Sequence, residues 1–278
     1  MQTSVVVLVV SKVCNAVVTL FELPFVQKIA IAPYESDKMR AAYEKLDPLE
    51  RFEHHAFPRV VTVTWGHGDA KDSTMAAFLD SMGELRGNLQ LHDFSNNESH
   101  AQLEQFLVKS KPDIVGVAGY NLNTRRLLGE VQECVRQYDR GRSREMTPVV
   151  VVDDEVARLY PQSKPALDEF RSFPPLMRYC IALARCLQNP LNEYAALETD
   201  LLTIRHHPLQ TLLPEEVLTM YLERALVNVV NDVGVDINAA LKKKYQGHLL
   251  QYVCGLGPRK VQSLVTRIER SVSVEDIY

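Results

Sequence analysis

The stretch R-V-V-T-V-T-W, residues 59–65, is a continuous run of β-branched and aromatic residues, and it predicts a β-strand. Similar segments at residues 75–79 and 89–94 predict two more strands. The turn D-S-M-G-E at residues 80–84 lies between them, so we expect these two strands to form an antiparallel hairpin. Three strands that meander in this way predict the first half of one sheet.

Helical and extended patterns alternate after the hairpin. Residues 99–109 predict a helix with Leu103, Phe106 and Leu107 on one face, and residues 113–117 predict a strand. A second helix is expected at residues 124–138, where apolar residues recur at helical spacing: Leu127, Leu128, Val131, Cys134 and Val135. A basic loop at residues 140–144 then leads to a buried strand at 149–152. The order β-β-β-α-β-α-β predicts an α/β domain with a mixed sheet.

The second half of the chain has helical patterns only. Residues 177–188 predict a helix that packs one face inward, with Arg178 and Arg185 outside. Pro214 and two following glutamates begin another helix, which runs to Val233 and ends at Gly234. Its predicted apolar stripe is Val217, Met220, Tyr221, Ala225, Leu226 and Val229. Asp236 or Asn238 is expected to cap the next helix, and the basic triplet at residues 242–244 follows.

The stretch V-C-G-L-G-P-R-K-V-Q-S-L, residues 253–264, predicts a tight turn between two helices. Leu249, Leu250, Tyr252 and Val253 belong to the expected first helix, and Pro258 opens the second. The backbone amides of Gly257 and of residues 259–261 are then free to bind an anion at the positive end of the helix dipole. The alternative is a turn that only closes two packed helices.

Composition limits the possible functions. The chain has 278 residues, enough for two modest domains, and a net charge of -4, so any nucleic-acid binding must come from a local patch. Its five cysteines are scattered without a C-x-x-C pair, which favours a reducing compartment and no structural zinc. His206, His207 and His248 lack metal-ligand spacing. The apolar run at residues 5–10 has no basic flank, so we expect neither a signal sequence nor a membrane segment.

Three motifs resemble the YqgF-type ribonuclease H-like domain of the bacterial Tex and eukaryotic suppressor-of-Ty-six transcription elongation factor family. They are V-T-V-T-W-G-H-G-D at residues 61–69, P-D-I-V-G-V-A-G at 112–119 and V-V-V-V-D-D-E-V-A-R-L-Y at 149–160. The similarity continues through F-R-S-F-P-P-L-M-R at 170–178 and N-D-V-G-V-D-I-N at 231–238 to a helix-hairpin-helix. Q-Y-V-C-G-L-G-P-R-K at residues 251–260 favours the eukaryotic factor, and the resemblance implies a fragment or truncated form.

The resemblance implies an α/β ribonuclease H-like domain followed by an all-α region that ends in a helix-hairpin-helix. We expect a poorly defined segment at residues 1–56, the ribonuclease H-like domain at 57–160, a helical linker at 161–235 and a partial helix-hairpin-helix at 236–278. The expected nucleic-acid-binding residues are Gly255, Gly257, Arg259, Lys260 and Arg267. Implied partners are the RNA polymerase II elongation complex, nucleosomes or histones, and the DNA or RNA backbone, in the nucleus, with no membrane and no cofactor.

Nuclease chemistry in such a domain needs carboxylates from several strands around two metal ions. At the corresponding positions the chain has Thr64 and Trp65 before Gly66, and Ala118 with Gly119. Either Asp153 or Asp154 is expected to act as a helix N-cap ahead of residues 155–159, and Asp69 and Asp72 to make turns. The sequence therefore predicts a scaffold without catalytic or metal-binding residues; the alternative is a metal-dependent nuclease or Holliday junction resolvase.

Overall fold

The computed structural model describes residues 57–66, 73–92, 94, 96–119, 123–140, 146–205, 210–235, 237–242 and 244–270. The described residues divide into two compact units, with the boundary between Glu193 and Tyr194. Within the described residues, the first unit combines a sheet with helices, and the second contains only helices and turns. The predicted loop at 140–144, and Asp69, Asp72, His206, His207 and Asp236, lie largely or wholly outside these residues.

The first unit is built on a five-stranded mixed sheet with the strand order β3-β2-β1-β4-β5. The first three strands pair antiparallel, whereas β1 with β4 and β4 with β5 pair parallel. The predicted order of elements is confirmed, but the third strand begins at Leu85, directly after the turn, and not at residue 89. The strands are β1 Val60–Trp65, β2 Thr74–Leu79, β3 Leu85–Leu91, β4 Ile114–Ala118 and β5 Val149–Val151.

Asp80 organises the predicted turn between β2 and β3. Its Oδ1 accepts the backbone amides of Met82 at 2.9 Å and Glu84 at 3.0 Å, and its Oδ2 accepts Arg86 Nε at 2.6 Å. Burial opposes ionisation of the Asp80 carboxyl, but the hydrogen bonds from Arg86 and the two amides outweigh it and lower its pKa. The ionised side chain therefore fixes the register of the hairpin.

Helices cover both faces of the sheet. Helices α1 (Asn97–Ser110) and α2 (Thr124–Asp139) pack on one face, as their apolar spacing predicts, and their buried residues include Leu103, Leu107, Leu127 and Val131. Helix α4 (Pro175–Gln188) packs against β1 and β2 on the opposite face, where Thr62 Oγ1 donates to the carbonyl of Cys180 at 2.9 Å. All six residues of β1 are buried as a result.

Gly116 lets α4 approach the sheet. A Cβ atom at this position of β4 would lie 2.7 Å from both Leu187 Cδ2 and Val152 Cγ2, and 3.1 Å from Thr62 Cγ2. Distances of 2.7 Å are far inside van der Waals contact. The absence of a side chain at Gly116 is therefore a packing requirement.

The prediction that Arg178 and Arg185 lie outside the inward face of α4 is wrong, because both are buried. Arg185 donates to Glu169 Oε1 at 2.6 Å, to Glu169 Oε2 at 3.1 Å and to the Tyr160 hydroxyl at 3.0 Å. Its guanidinium also lies 5.2 Å from the ring centroid of Phe170. Burial disfavours its charge, but Glu193 and Glu169 outweigh that effect and raise the pKa of Arg185. These partners replace the water that would hydrate an exposed guanidinium group.

Tyr160 and Glu169 come from the segment between β5 and α4, which contains a 3-10 turn at Tyr160–Gln162 and helix α3 at Lys164–Glu169. Arg178 is fixed separately, because its Nη1 donates to the carbonyl of Phe173 at 3.0 Å. Cys180 and Cys186 are also buried in α4, as expected of small core residues. Helix α4 is thus surrounded on all sides.

The prediction of a buried strand at 149–152 is only partly right. Val152 is buried, but Val151 is 57% exposed. The reason is the strand order, since among the described strands β5 lies at the edge of the sheet and pairs only with β4. A run of valines reports hydrophobicity and strand propensity but not position within the sheet.

Helix α6 (Glu215–Val233) is the longest element of the second unit, and it begins and ends where the sequence predicts. Gly234 ends it with φ at +84°. The predicted stripe is partly wrong, because Met220 is 55% exposed whereas Leu218 and Leu222 are buried. Apolar residues occupy nearly every side of the first turns of this helix, so periodicity alone does not determine which side is buried.

The remaining helices are short, apart from the last. They are α5 (Pro190–Ala195), α7 (Ile237–Lys242) and α8 (Pro258–Arg270), with 3-10 segments at Glu198–Thr203, Gln210–Leu212 and Lys244–Tyr252. Within the described part of the chain, no helix has the length and apolar character needed to cross a membrane.

Candidate nucleic-acid interface

The predicted hairpin turn lies between the 3-10 segment Lys244–Tyr252 and α8. The expected first helix is therefore a 3-10 helix, and its nine residues make it unusually long for that type. Gly255 has φ at +84° and Gly257 has φ at +55°, and a Cβ at either position would meet no atom within 4 Å. Both glycines are thus required for backbone conformation, not for space.

Pro258 is the first residue of α8, as predicted. The amide of Val261 donates to the carbonyl of Gly257 at 3.0 Å, so the expectation that this amide is free to bind an anion is wrong. The reason is that the first helical hydrogen bond closes here, one turn after Gly257. Any backbone contact to an anion must come from the amides that precede Val261.

Three of the predicted binding residues are cations on one helix. Arg259, Lys260 and Arg267 all lie in α8, and all three are exposed. Lys260 also has a role within the turn, because its Nζ donates to the carbonyl of Gly255 at 2.8 Å. Among these cations, Arg259 is the one closest to the start of the helix. The structure therefore places a guanidinium, two glycines and an ammonium within one turn.

Asn231 near the end of α6 contacts this turn, although no sequence pattern selects it as a site residue. Its side-chain Nδ2 donates to the carbonyl of Tyr252 at 3.0 Å, and its Oδ1 accepts the amide of Cys254 at 2.9 Å. The motif at residues 231–238 was visible in the sequence, but its contact is 21 to 23 residues away along the chain. Only the fold brings the two segments together.

The basic triplet at residues 242–244 and His248 are the other candidate site residues of the second unit. The side chains of the basic triplet at 242–244 lie outside the described part. His248 lies 3.7 Å from Glu198 through its Nδ1. Among the residues that the structure describes, no group of three or more histidine, cysteine or acidic side chains could hold a metal ion.

The edge of the sheet where β1 and β4 end contains the positions that the sequence resemblance relates to catalytic carboxylates of a resolvase-like site. These strands are parallel neighbours, and Thr64 pairs directly with Ala118. Trp65 is 5% exposed, with the Arg126 guanidinium 5.6 Å from its ring centroid. A hydroxyl, an indole and a methyl group therefore stand where carboxylates would be needed for two-metal chemistry.

Asp153 and Asp154 have structural contacts. Asp153 Oδ1 accepts a hydrogen bond from the amide of Glu155 at 3.1 Å, as a capping residue does. The segment that it caps is a turn and not the predicted helix. Asp154 accepts two hydrogen bonds from Arg158, at 2.6 and 3.0 Å, and one from the Tyr179 hydroxyl at 2.8 Å. Both carboxylates are thus engaged by protein groups.

Comparison with known families gives two adjacent matches. The family model described as the Holliday-junction resolvase-like YqgF domain of SPT6 matches residues 54–198. The model of a helix-hairpin-helix motif matches residues 199–275. The two matches adjoin directly and together cover residues 54–275, from before the first strand to beyond the end of α8.

Individual relatives agree with these matches. The chain is 40% identical over 229 residues to transcription elongation factor spt6 of Schizosaccharomyces pombe, covering 82% of the chain and 16% of the relative. It is 38% identical over 230 residues to spt-6 of Neurospora crassa, covering 78% and 16%. It is 34% identical over 277 residues to SPT6 of Mycosarcoma maydis, covering 87% and 16%. The matched part is therefore about one sixth of each relative's length.

Proposed function

The chain belongs to the family of Holliday-junction resolvase-like YqgF domains of SPT6, and we propose that it is a non-catalytic core fragment of a transcription elongation factor. The relatives named above are transcription elongation factors, and the match covers both the sheet domain and the helix-hairpin-helix. The observation that carries the proposal is the absence of carboxylates at Thr64 and Ala118, together with an exposed turn suited to phosphate.

We propose that the turn binds the backbone of DNA or RNA without sequence specificity, through Gly255, Gly257, Arg259, Lys260 and Arg267. The two glycines allow the backbone to approach a phosphate, and the three cations are exposed on α8. Contacts of this kind to phosphate oxygens carry no sequence information directly. If about four phosphates are neutralised, log K falls with log salt at a slope of about -3 to -4.

The family further suggests the setting of this activity. We propose that the chain acts in the nucleus with the RNA polymerase II elongation complex and with nucleosomes or histones, as part of a histone chaperone. We also propose four segments: 1–56, the ribonuclease H-like domain 57–160, a helical linker 161–235 and the partial helix-hairpin-helix 236–278. No cofactor is part of the proposal.

The second candidate function is a metal-dependent nuclease or Holliday junction resolvase, which the description of the family model favours. It requires acids that converge at the sheet edge, and Asp153 with Asp154 are the adjacent pair at the end of β5. Their bonds to Glu155, Arg158 and Tyr179 support the structural role instead.

The deciding experiment measures binding of the purified full chain to fluorescent single- and double-stranded DNA and RNA at 50 and 200 mM salt, with Mg²⁺ or Mn²⁺ in parallel tubes. We expect salt-sensitive binding without cleavage. Metal-dependent cleavage that disappears in the Asp153→Asn/Asp154→Asn double variant would establish the nuclease instead. Absence of both binding and cleavage would contradict the nucleic-acid proposal and direct attention to protein partners.

A further inference from the structure

We propose that Asn231 is the positioning residue of the phosphate-binding turn, an inference that rests on the proposed function of that turn. Asn231 is the first residue of the motif N-D-V-G-V-D-I-N and lies in the last turn of α6. It is not one of the cations and glycines that face the phosphate. It acts on them through the backbone of residues 252–254.

The carboxamide of Asn231 donates hydrogen bonds through Nδ2 and accepts one through Oδ1. One Nδ2 hydrogen reaches the carbonyl of Val227 within α6, and the other reaches the carbonyl of Tyr252 at 3.0 Å. The Oδ1 accepts the amide of Cys254 at 2.9 Å. The side chain therefore bridges the last residue of the 3-10 segment and the first half of the turn, where the main chain changes direction.

The backbone closes this turn through the amide of Leu256, which donates to the carbonyl of Val253 at 3.0 Å, and the Asn231 bridge adds to that bond. Such support is useful because Gly255 and Gly257 both have positive φ, and glycine adopts many other conformations when a turn is not held. Lys260 fixes the turn from the other side through the carbonyl of Gly255. A turn held from both sides loses less conformational entropy when it binds a phosphate.

Only an amide side chain supplies this combination of donor and acceptor at this length. Leucine has a similar shape but neither group. Aspartate keeps the acceptor for the Cys254 amide, but it places a carboxylate oxygen against the carbonyls of Val227 and Tyr252. Asn231→Leu therefore removes all of these hydrogen bonds at similar shape, whereas Asn231→Asp removes only the donated ones.

The test compares Asn231→Leu and Asn231→Asp with the full-length wild type, and Asn228→Leu serves as the matched control. Asn228 is an exposed asparagine on the same helix. DNA binding is measured at two salt concentrations, and hydrogen exchange of the Cys254 amide is followed by NMR. Since each lost hydrogen bond has a modest net effect, we expect Asn231→Leu to weaken binding about three- to tenfold.

The salt dependence distinguishes a positioning role from a phosphate contact. The slope of log K against log salt should stay at the wild-type value in both Asn231 variants, because the number of phosphates contacted is unchanged. The Cys254 amide should exchange faster in Asn231→Leu and remain partly protected in Asn231→Asp. Asn228→Leu should leave affinity, slope and exchange unchanged.

Two outcomes overturn the inference, and they differ from failure of the proposed function. If the wild type binds DNA with the expected salt dependence but Asn231→Leu binds equally well, Asn231 has no positioning role. If Asn231→Leu weakens binding while the Cys254 amide stays protected, the loss arises elsewhere and the inference is also wrong. If the wild type does not bind at all, both the proposed function and this inference fail together.

Discussion

Arginine has opposite surroundings in the two units. Arg185 of the α/β unit is 5% exposed and is held by Glu169, Tyr160 and Phe170, whereas Arg259 of the hairpin is exposed to solvent. Because Arg185 is buried and donates to Glu169 and Tyr160, its guanidinium is not accessible to a phosphate in solution. The comparison teaches that the buried Arg185 maintains the fold of the first unit, whereas the exposed Arg259 of the hairpin is accessible to a ligand.

The largest expected effect comes from Arg185→Ala. It leaves Glu169 and the buried Glu193 without their cation, and removal of one partner from a buried pair costs about 3 to 5 kcal/mol. Because Glu169 is 42% exposed, we expect the lower end, about 3 kcal/mol. The chain has one tryptophan, Trp65, so urea unfolding followed by its fluorescence reports on the α/β unit.

The matched control for Arg185 is Arg171→Ala, because Arg171 is exposed in the same unit. We expect this control to change the free energy of unfolding by less than about 0.5 kcal/mol. A similar small loss for Arg185→Ala would mean that the buried arginine does not maintain the fold, and the comparison would fail.

Gly116→Ala is the next largest change. Its new methyl group would lie 2.7 Å from Leu187 Cδ2 and Val152 Cγ2, and overpacking of this kind costs about 1 to 3 kcal/mol. The control is Gly129→Ala in α2, where a Cβ meets no atom within 4 Å. That change should stabilise the unit by up to about 1 kcal/mol, since alanine is the better helix former. Equal effects of the two substitutions would show that α4 can move away from β4.

Arg259→Ala tests the exposed arginine of this comparison. We expect stability to be unchanged, affinity for DNA to fall about three- to tenfold, and the salt slope to decrease in magnitude by about one. Arg205→Ala is the control, as an exposed arginine in the same unit but away from the turn in sequence. A salt slope that is the same in Arg259→Ala as in the wild type would remove Arg259 from the interface.

The smallest effect concerns pH. The folded-state pKa of Asp80 is lowered, so its carboxylate stabilises the hairpin above the unfolded value of about 3.9, and this contribution is lost as the pH falls through the folded value. Asp80→Asn should therefore destabilise by less than about 1 kcal/mol at pH 7, because the site is partly exposed. The difference in urea midpoint between Asp80→Asn and the wild type should narrow progressively as the pH falls below about 3.9. A difference that does not narrow over that range would assign the loss to geometry.

Much of the fold followed from local patterns. The β-branched run of β1 and the apolar spacing of α1 and α2 predicted the elements of the sheet domain, because these signals depend on neighbours within one or two turns. What failed depended on distant partners. Burial of Arg185 requires Glu169, 16 residues away, and exposure of Val151 requires the order of strands in the sheet.

The hairpin illustrates the same limit. Positive φ at Gly255 and Gly257 and the helix start at Pro258 were predictable, since glycine and proline encode their backbone preferences directly. The contact of Asn231 with the turn was not, because it joins segments more than 20 residues apart. The phosphate-binding role of these residues stays a prediction until the binding experiments are done.

The burial of the cysteines has a practical consequence for thiol chemistry. Burial raises the pKa of the Cys134 and Cys180 thiols to about 12 and raises that of Cys186 well above its ordinary value, so none of the three forms a thiolate readily at neutral pH. Cys254, in contrast, is exposed on the hairpin turn. Among the described cysteines, a maleimide dye should therefore react first at Cys254, which would put a fluorescent reporter beside the residues proposed to bind phosphate.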